Sequence, residues 1–373
     1  MPDAIRLVDV KAQHAEVQGE LDACVRTVFE TGAFVLGEHV AGFERDFADA
    51  LGVRHAVGVN SGTDALVLAL DVVRERRGRG EVITTPFTFF ATAEAVVQAG
   101  HELRFADIEP ETFNLAPAAV QAAAGPKTVA ILPVHLFGQC ADVDALRVGD
   151  AAMIEDAAQS VGATYKGRPA GGLGDAAGFS FYVTKNLGAV GDAGAVTTDD
   201  AGFAEMVRSL RAHGEVRSGE GRRSYHYERV GRNSRLDALQ AAVLRVKLRK
   251  LGEWQERRAD NAFFYDQALA GIDGLVPPHR APGSSHVYHQ YVVRAERRDG
   301  LREHLGSRQI ETRVFYPQPL HVQPALADLG LKEGALPEAE RACREVLALP
   351  VHAHLAAPDR ERIVNEIRAF LGA

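Results

Sequence analysis

Two residues of this 373-residue chain stand out for their chemistry: Lys185 and, twenty-nine positions earlier, Asp156. Lys185 follows the apolar run FSFY, and a glycine-rich loop comes directly after it. An ammonium beside such a run is partly desolvated, which lowers its pKa and frees the amine for Schiff-base chemistry. The alternative interpretation is that Lys185 is a structural lysine at the end of a strand, with its charged group in solvent.

Asp156 ends the apolar stretch AAMIED, which reads as a buried strand. A carboxylate held there needs a positive or protonated partner, and a protonated pyridine nitrogen is one. The segment SGT (61–63) joins a strand to a helix, where free amides can bind phosphate, and Phe89 offers an aromatic ring. Together these groups meet the requirements of pyridoxal phosphate. Taken alone, Asp156 could equally be a salt-bridged strand end, and SGT begins many helices.

The chain uses only seven lysines against thirty-five arginines, which makes Lys185 more conspicuous. Most of the other lysines stand in polar company. Lys247 and Lys250, for example, are expected on a charged helix.

Composition is that of an ordinary globular protein, with 46% hydrophobic and 25% charged residues. A net charge of −8 argues against a nucleic-acid partner. Charges run through the first twenty residues, and no apolar run is long enough to cross a bilayer, so we expect a cytoplasmic protein with no membrane contact.

No spacing of His, Cys or acidic residues predicts a metal site. The three dispersed cysteines fit a reducing compartment: Cys24, Cys140 and Cys343.

Strands alternate with helices along most of the chain, which predicts the α/β class with a mostly parallel sheet covered by helices on both faces. We expect a large domain over 1–250, opening with a helical segment, and a small C-terminal α+β domain over 251–373. The specific elements expected include a helix over 14–31, a helical stretch over 235–270, a strand over 309–315 and a helix over 337–346.

Ligands in such sheets bind beyond the carboxyl ends of the strands. The segments SGT and 87–89, with Asp107, His135 and Asp156, are all predicted at such ends. His135 is interpreted as a hydrogen-bonded histidine beneath the site. The Gly- and Arg-rich loop over 214–235 reads as functional or solvated. Its arginines at 217, 222, 223, 229 and 232 either clamp a nucleotide diphosphate or contact solvent.

Eight stretches of the chain, in order, resemble the DegT/DnrJ/EryC1/StrS family of sugar-nucleotide aminotransferases, which have the fold type I of aspartate aminotransferase. The likeness runs essentially from end to end. The stretches are NSGTDAL (60–66), TPFTFFATAEAV (85–96), FADIEPETFNL (105–115), PVHLFGQCADVDAL (133–146), IEDAAQSVGATYKG (154–167), FSFYVTKNLGAVGDAGAVTT (179–198), GRNSRLDALQAAVL (231–244) and FYPQPLHVQPA (315–325).

This resemblance implies a role for each matching residue. Lys185 would be the catalytic acid–base that forms the imine with pyridoxal 5′-phosphate. Asp156 would pair with the pyridinium nitrogen, Gln159 would reach the ring hydroxyl and Phe89 would stack on the ring. Phe87 is expected in the core.

At the phosphate, the resemblance implies Gly62, Thr63 and Ser180. Asn233 would reach the phosphate of the neighbouring subunit, so the active sites would be shared in a homodimer. Tyr316 and His321 lie in the substrate-facing stretch of the family. Arg235 is a candidate for an anionic group of the substrate.

The chain departs from the family pattern at three places. Val183 stands where relatives commonly have proline, and Ala193 stands in a motif that is usually GDGG. Phe315 replaces a common histidine that helps with substrate in some members, so this difference bears on substrate identity rather than on the cofactor.

The expected activity is transfer of an amino group from an amino acid, namely glutamate, to a nucleotide-linked keto-sugar, with C3 favoured over C4. Such products enter surface polysaccharides or glycosylated natural products. Three alternatives are considered. A sugar dehydratase of the same family would lack the lysine, and a nicotinamide dehydrogenase would need a GxGxxG motif at the start of a helix, which this chain does not have. The third alternative is a non-catalytic regulator.

Overall fold

The structure is a computed structural model that describes residues 4–216 and 225–373. Within those ranges the chain forms twelve α-helices and twelve β-strands. The helices are α1 (Val10–Glu16), α2 (Gln18–Thr31), α3 (Gly37–Leu51), α4 (Gly62–Arg77), α5 (Ala91–Gln98), α6 (Pro117–Ala123), α7 (Ala201–Leu210), α8 (Ala238–Leu248), α9 (Leu251–Ala268), α10 (Arg298–Ser307), α11 (Pro337–Glu345) and α12 (Ala357–Leu371). The strands are β1 (His55–Val59), β2 (Glu81–Thr84), β3 (Glu102–Phe105), β4 (Thr128–Leu132), β5 (Ala152–Asp156), β6 (Thr164–Tyr165), β7 (Arg168–Pro169), β8 (Ala176–Ser180), β9 (Gly194–Thr198), β10 (Leu275–Val276), β11 (Tyr291–Ala295) and β12 (Val346–Leu349).

Seven strands form the central sheet, in the order β1-β9-β8-β5-β4-β2-β3. The five strands from β8 to β3 pair in parallel, whereas β9 runs antiparallel to both of its neighbours. Every residue of β5 and of β9 is buried, as expected for strands covered on both faces. The predicted α/β class with a mostly parallel sheet is therefore confirmed.

Strand β8 is held by an aromatic cluster that α3 contributes to one face of the sheet. Phe47 meets Phe179 and Phe181 edge-on, each with ring centroids 5.1 Å apart, and Phe43 meets Phe181 at 5.3 Å. Such pairs stabilise by about 0.5–1.5 kcal/mol beyond their buried area. Because side chains alternate along a strand, Ser180 faces the other way, toward the start of α4.

A second, antiparallel sheet is formed by β10, β11 and β12 near the C-terminus. Helices α9, α10 and α12 pack against it in a separate core cluster that contains Tyr291, Leu347 and Ile363. Ile5 belongs to the same cluster, so the start of the described chain lies with the C-terminal elements. The division into domains at residue 250 stays a prediction.

The predicted strand over 309–315 is wrong. Ile310 pairs with Ile5 in one isolated bridge, and Arg313 pairs with Ala348 in another. Because the two bridges join different partners, no continuous ladder forms. The predicted helix over 337–346 ends at Glu345, since the apolar run VLAL pairs with β11 instead and forms β12.

Two predicted helical stretches are each divided in two. The stretch over 14–31 begins earlier, at Val10, and is interrupted at Val17, whose backbone leaves the helical region (φ −121°, ψ 18°). The stretch over 235–270 is α8 followed by α9, with a break at residues 249–250. Across the two described ranges, no helix has the length and apolar character needed to cross a bilayer.

Candidate active site

A cavity of about 530 Å³ opens at the carboxyl edge of the central sheet, within the size range of about 300–1,000 Å³ that is usual for small-molecule sites. Strands β5 and β8 are parallel neighbours, so their carboxyl ends and the loops that follow meet there. Eight of the eleven predicted site residues line this cavity: Gly62, Thr63, Phe89, Asp156, Gln159, Ser180, Lys185 and Tyr316.

Asp156 is the last residue of β5, and its carboxylate is buried. The Thr92 hydroxyl donates a hydrogen bond to Oδ2 at 2.7 Å, and the Ala158 amide donates to Oδ1 at 3.2 Å. Burial raises the pKa of Asp156, while these two hydrogen bonds and the charge of Lys185 act in the opposite direction. The carboxylate is thus anchored, and it lines the cavity where a cationic partner would be favoured.

Lys185 lies in the loop after β8 and is partly exposed, toward the cavity. Burial lowers the pKa of Lys185 to about 8, and the nearby charge of Asp156 opposes that shift. The Lys185 amide donates to the Tyr182 carbonyl at 2.8 Å, and the Ala189 amide donates to the Phe181 carbonyl at 2.8 Å. Both bonds close the loop onto the end of the strand, so the amine projects from a fixed backbone.

Helix α4 begins beside the cavity, with Ser61 as its N-cap: the Ser61 hydroxyl accepts a hydrogen bond from the Asp64 amide at 3.1 Å. The amides of Gly62 and Thr63 belong to the first turn, whose donors an α-helix leaves without intrahelical partners. A Cβ at position 62 would lie 2.5 Å from the Ser180 Cβ, so only glycine fits. This edge of the cavity is therefore suited to an anion.

Gln159 lies in the turn after β5 and connects two other segments. Its side-chain oxygen accepts from the Phe137 amide at 2.7 Å, and its side-chain nitrogen donates to the Tyr316 hydroxyl at 3.1 Å. His135, behind the cavity, is fully buried and contacts Glu155 through Nε2 at 2.9 Å. Its Nδ1 accepts from the Ala141 amide at 3.1 Å, so the interpretation of a hydrogen-bonded histidine agrees with the structure.

Phe87 and Phe89, two residues apart, lie in contrasting environments. Phe87 is completely buried, as expected for a core residue, and it packs against Phe113, Phe137 and Tyr316. Phe89 is 62% exposed and lines the cavity. A flat ligand in the cavity would cover this exposed ring.

Three predicted site residues do not line the cavity of the single chain. Asn233 is exposed and Arg235 is half-buried. His321 is buried, with its Nε2 3.0 Å from Oε1 of Glu340, and it lies beside a separate depression formed by residues 317–344. The prediction for His321 rested on a short motif, and in the structure its imidazole packs against α11.

The five arginines named in the 214–235 loop fall into two groups. Arg217, Arg222 and Arg223 lie outside the described residues. Arg229 pairs with Glu75 and Glu228, and Arg232 pairs with Asp71, so both of these guanidinium groups make ion pairs with acidic side chains.

Sequence reasoning missed several residues that line the cavity. Thr92 and Tyr182 lie inside the quoted motifs, and the Thr88–Thr92 spacing of one helical turn is a signal that could have been used. His289 and Gln290 come from a distant segment that gives no local signal. The Nδ1 of His289 lies 3.2 Å from the Asn186 side-chain oxygen, and burial holds the pKa of His289 well below its usual value.

The arrangement fits pyridoxal phosphate. The cavity combines an amine with a lowered pKa, a buried carboxylate, an exposed aromatic ring and first-turn amides beside a glycine that cannot be replaced. Within the described ranges no group of three or more His, Cys, Asp or Glu residues could hold a metal ion, and the donors present suit an organic cofactor. Fold and site together define a fold type I transferase that depends on pyridoxal phosphate.

The chain belongs to the DegT/DnrJ/EryC1/StrS aminotransferase family, whose sequence model matches residues 16–368. The "Pleiotropic regulatory protein" of Geobacillus stearothermophilus is 42% identical over 98% of both chains. The dTDP-3-amino-3,4,6-trideoxy-alpha-D-glucose transaminase of Streptomyces venezuelae is 43% identical over 98% of this chain and 96% of the relative. Among solved structures, S. venezuelae DesV in complex with a ketimine intermediate superposes with a TM-score of 0.94, at 42% identity and full coverage of both chains. The protein is therefore an aminotransferase that uses pyridoxal phosphate.

Proposed function

We propose that this aminotransferase moves an amino group from glutamate to C3 of a nucleotide-linked keto-sugar, for the synthesis of amino sugars in polysaccharides or natural products. One observation supports the proposal above all others: the amine of Lys185 and the carboxylate of Asp156 line one cavity beside the start of α4. We place the reaction in the cytoplasm, as composition predicts.

When bound, pyridoxal phosphate supplies an electron-withdrawing ring that stabilises negative charge on the carbon of the donor and stores the amino group between two half-reactions. The chain's own residues hold this cofactor. Asp156, fixed by Thr92 and Ala158, would keep the ring nitrogen protonated. Phe89 would pack on the ring, and Gln159 would direct its remaining amide hydrogen to the ring hydroxyl.

The phosphate would be held by the first turn of α4. The amides of Gly62 and Thr63, with the hydroxyls of Thr63 and Ser180, would donate hydrogen bonds to it, and the helix dipole favours the negative charge. Because this contact is made by backbone fixed in a helix, it would set the position of the cofactor relative to Lys185.

Lys185 would move a proton within each of the two half-reactions. With a pKa of about 8, it is a free amine in about one molecule in ten at pH 7, a fraction that an ordinary lysine does not approach. In the first half-reaction the free amine can accept the proton of the donor's α-carbon, and in the second a protonated Lys185 can deliver a proton to the carbon that receives the amino group. Among the residues that line the described cavity, only Lys185 has an amine.

The preference for C3 rests on relatives rather than on contacts. The 43% identical transaminase of Streptomyces venezuelae is named for a 3-amino sugar, and its likeness covers 98% of this chain. Phe315 lines the cavity next to Tyr316, so an apolar ring stands where many relatives have a histidine that helps with substrate. We assign Tyr316, Arg235 and His321 to the sugar nucleotide as the resemblance implies, although the single chain brings only Tyr316 to the cavity.

We propose a homodimer with shared active sites. Asn233, which is exposed in the single chain, would reach the phosphate held by the neighbouring subunit. Large apolar side chains also stand exposed near the cavity, on α2 and in the segment that follows α2. Phe29 and Phe34 form an exposed edge-on pair with ring centroids 5.5 Å apart, and Phe89 and Tyr182 are 62% and 50% exposed. Exposed apolar clusters of this kind mark association surfaces.

A regulatory function is the second candidate, because the Geobacillus stearothermophilus relative carries that name at 42% identity. A regulator that only binds the cofactor would have no use for the lowered pKa of Lys185. The dehydratase branch of the family lacks the lysine, so Lys185 argues against that activity.

The test uses protein loaded with pyridoxamine phosphate and mixed with a panel of 3-keto and 4-keto sugar nucleotides, with products weighed by mass spectrometry. We expect a new amine on a 3-keto sugar, and 15N from labelled glutamate in that product under turnover. The Lys185→Ala protein should yield none. Amination confined to 4-keto sugars would contradict the C3 assignment, and cofactor binding without any amination would favour the regulator.

A further inference from the structure

Lys247, on α8, is fully buried, although the sequence predicted a lysine in polar company on a charged helix. This face of α8 packs inward, and polar groups surround the buried ammonium. The Nζ of Lys247 donates to the Gly188 carbonyl at 2.6 Å and to the Gln13 side-chain oxygen at 3.3 Å, and it lies 2.8 Å from Nε2 of His14. None of these three partners carries a negative charge, so the ammonium is solvated by neutral groups alone.

Such a site is costly to build. Burial lowers the pKa of Lys247 to about 8, and burial together with the Lys247 charge lowers the pKa of His14. A neutral His14 accepts through Nε2, which satisfies the ammonium without a carboxylate. Apolar side chains of similar volume often replace buried charges without loss of stability. The position of this lysine therefore calls for a reason other than packing.

This reason is the contact that Lys247 makes with the loop after Lys185. Gly188 is the third residue after Lys185, and its carbonyl receives the hydrogen bond of 2.6 Å from Lys247. Gln240, two turns earlier on the same face of α8, accepts from the Val190 amide at 2.9 Å. Helix α8 thus holds this loop at two points, once through a donor and once through an acceptor.

The opposite side of the loop is also held. The Asn186 side-chain nitrogen donates to the Val287 carbonyl at 3.0 Å, and its oxygen contacts Nδ1 of His289 at 3.2 Å. Residues 185–191 are therefore fixed between α8 and the 287–289 segment. Of these contacts, only the one made by Lys247 also reaches α1, through Gln13 and His14.

We propose that Lys247 is a positioning residue for Lys185: by binding the Gly188 carbonyl, its ammonium fixes the loop that directs the Lys185 amine toward Asp156. A misplacement of about 1 Å can lower the rate about a hundredfold. The gain in rate from a fixed loop therefore offsets the stability lost by burying a charge. This inference rests on the proposed catalytic role of Lys185.

The test compares Lys247→Met with Lys250→Met in the holoenzyme. Methionine has nearly the same length but no donor, and Lys250, three residues further on, is a half-buried surface lysine that contacts Glu253 at 3.2 Å. For Lys247→Met we expect kcat to fall about tenfold to a hundredfold with KM nearly unchanged. We also expect the pH midpoint of the bound cofactor's visible absorbance to move by about half a unit or more, because that absorbance titrates with the Lys185 nitrogen joined to the cofactor, and the pKa of this nitrogen depends on where the loop places it. Lys250→Met should match the unchanged enzyme in both.

Two results would overturn the inference. In the first, Lys247→Met keeps the kcat and the pH midpoint of the unchanged enzyme. In the second, kcat falls only in proportion to the fraction of the variant that is unfolded. Should Lys247→Met not fold, Lys247→Gln provides the measurement. Its amide is uncharged and the side chain is one bond shorter than that of lysine, so the charge-assisted bond to the Gly188 carbonyl is lost; a fall of kcat in the same direction is expected, and normal kcat would refute the idea. Retention of the covalent cofactor by Lys185→Ala would instead defeat the proposed function, which keeps the two failures distinct.

Discussion

The side-chain amide of Gln159 donates a hydrogen bond to the Tyr316 hydroxyl at 3.1 Å, joining residues 157 positions apart in the chain. This contact joins two segments. One is the turn that directly follows Asp156 at the end of β5, and the other precedes the C-terminal helices. Burial raises the pKa of Tyr316, so its hydroxyl stays neutral and accepts from the amide. The contact thereby connects two segments that line the same cavity.

Tyr316→Phe should weaken both the fold and the reaction. The Gln159 amide loses its partner in a buried place, which costs about 1 kcal/mol of unfolding free energy. We expect kcat/KM to fall about tenfold, since the hydroxyl also lines the substrate cavity. Denaturant unfolding and steady-state kinetics measure the two effects. Unchanged kcat/KM with unchanged stability would show that the contact has no consequence.

Asp156→Asn should keep the shape of the site and remove its charge. Without the carboxylate the ring nitrogen is less often protonated, and loss of one such electrostatic group costs about 10²–10³-fold in kcat. The cofactor should still bind, because the phosphate contacts of Gly62 and Thr63 remain. Absorbance of the bound cofactor checks binding and single-turnover kinetics check the rate. A kcat within tenfold of the unchanged enzyme would contradict the role given to Asp156.

Thr92→Val should act through Asp156. Valine has the shape of threonine but lacks the hydroxyl that donates to Oδ2 at 2.7 Å, a charge-assisted bond whose loss is worth about 1.5–3 kcal/mol. We expect kcat to fall about tenfold, which is less than for Asp156→Asn. Thr88→Val is the matched control, because the Thr88 hydroxyl contacts the Thr92 hydroxyl at 3.1 Å rather than the carboxylate. Equal losses in both variants would count against the assignment.

The reactivity of Lys185 should depend on pH near neutrality. Its pKa of about 8 means that the amine is protonated and inert below that pH and becomes nucleophilic as the pH rises through it. Ordinary lysines reach the same point only near pH 10.4. Acylation of the apoprotein, followed peptide by peptide with mass spectrometry, should give a midpoint of about 8 for Lys185. A midpoint near 10 would mean that the amine is freely hydrated.

The parts of the site that sequence predicted well are those that local rules control. Asp156 and Lys185 follow neighbouring parallel strands, and the carboxyl ends of such strands meet at one edge, so their meeting in one cavity could be anticipated. Ser61 caps α4 as its type and position suggest.

Contacts between distant segments could not be predicted in this way. The bond between Gln159 and Tyr316 and the approach of His289 to Asn186 depend on how the C-terminal elements pack against the central sheet. The burial of Lys247 could not be predicted, because helical patterning does not show which neighbours cover a face. The contact between His321 and Glu340 also joins separate segments, and the role of His321 at the site stays a prediction.

The most direct test of the central claim is borohydride reduction of the purified, pyridoxal-phosphate-loaded protein, followed by peptide mapping. We expect a visible absorbance band that borohydride abolishes and one stable pyridoxyl-phosphate adduct, located on Lys185. Lys185→Ala should remove both while the protein remains folded. A protein that stays colourless with added cofactor, or an adduct on a different lysine such as Lys247, would contradict the assignment.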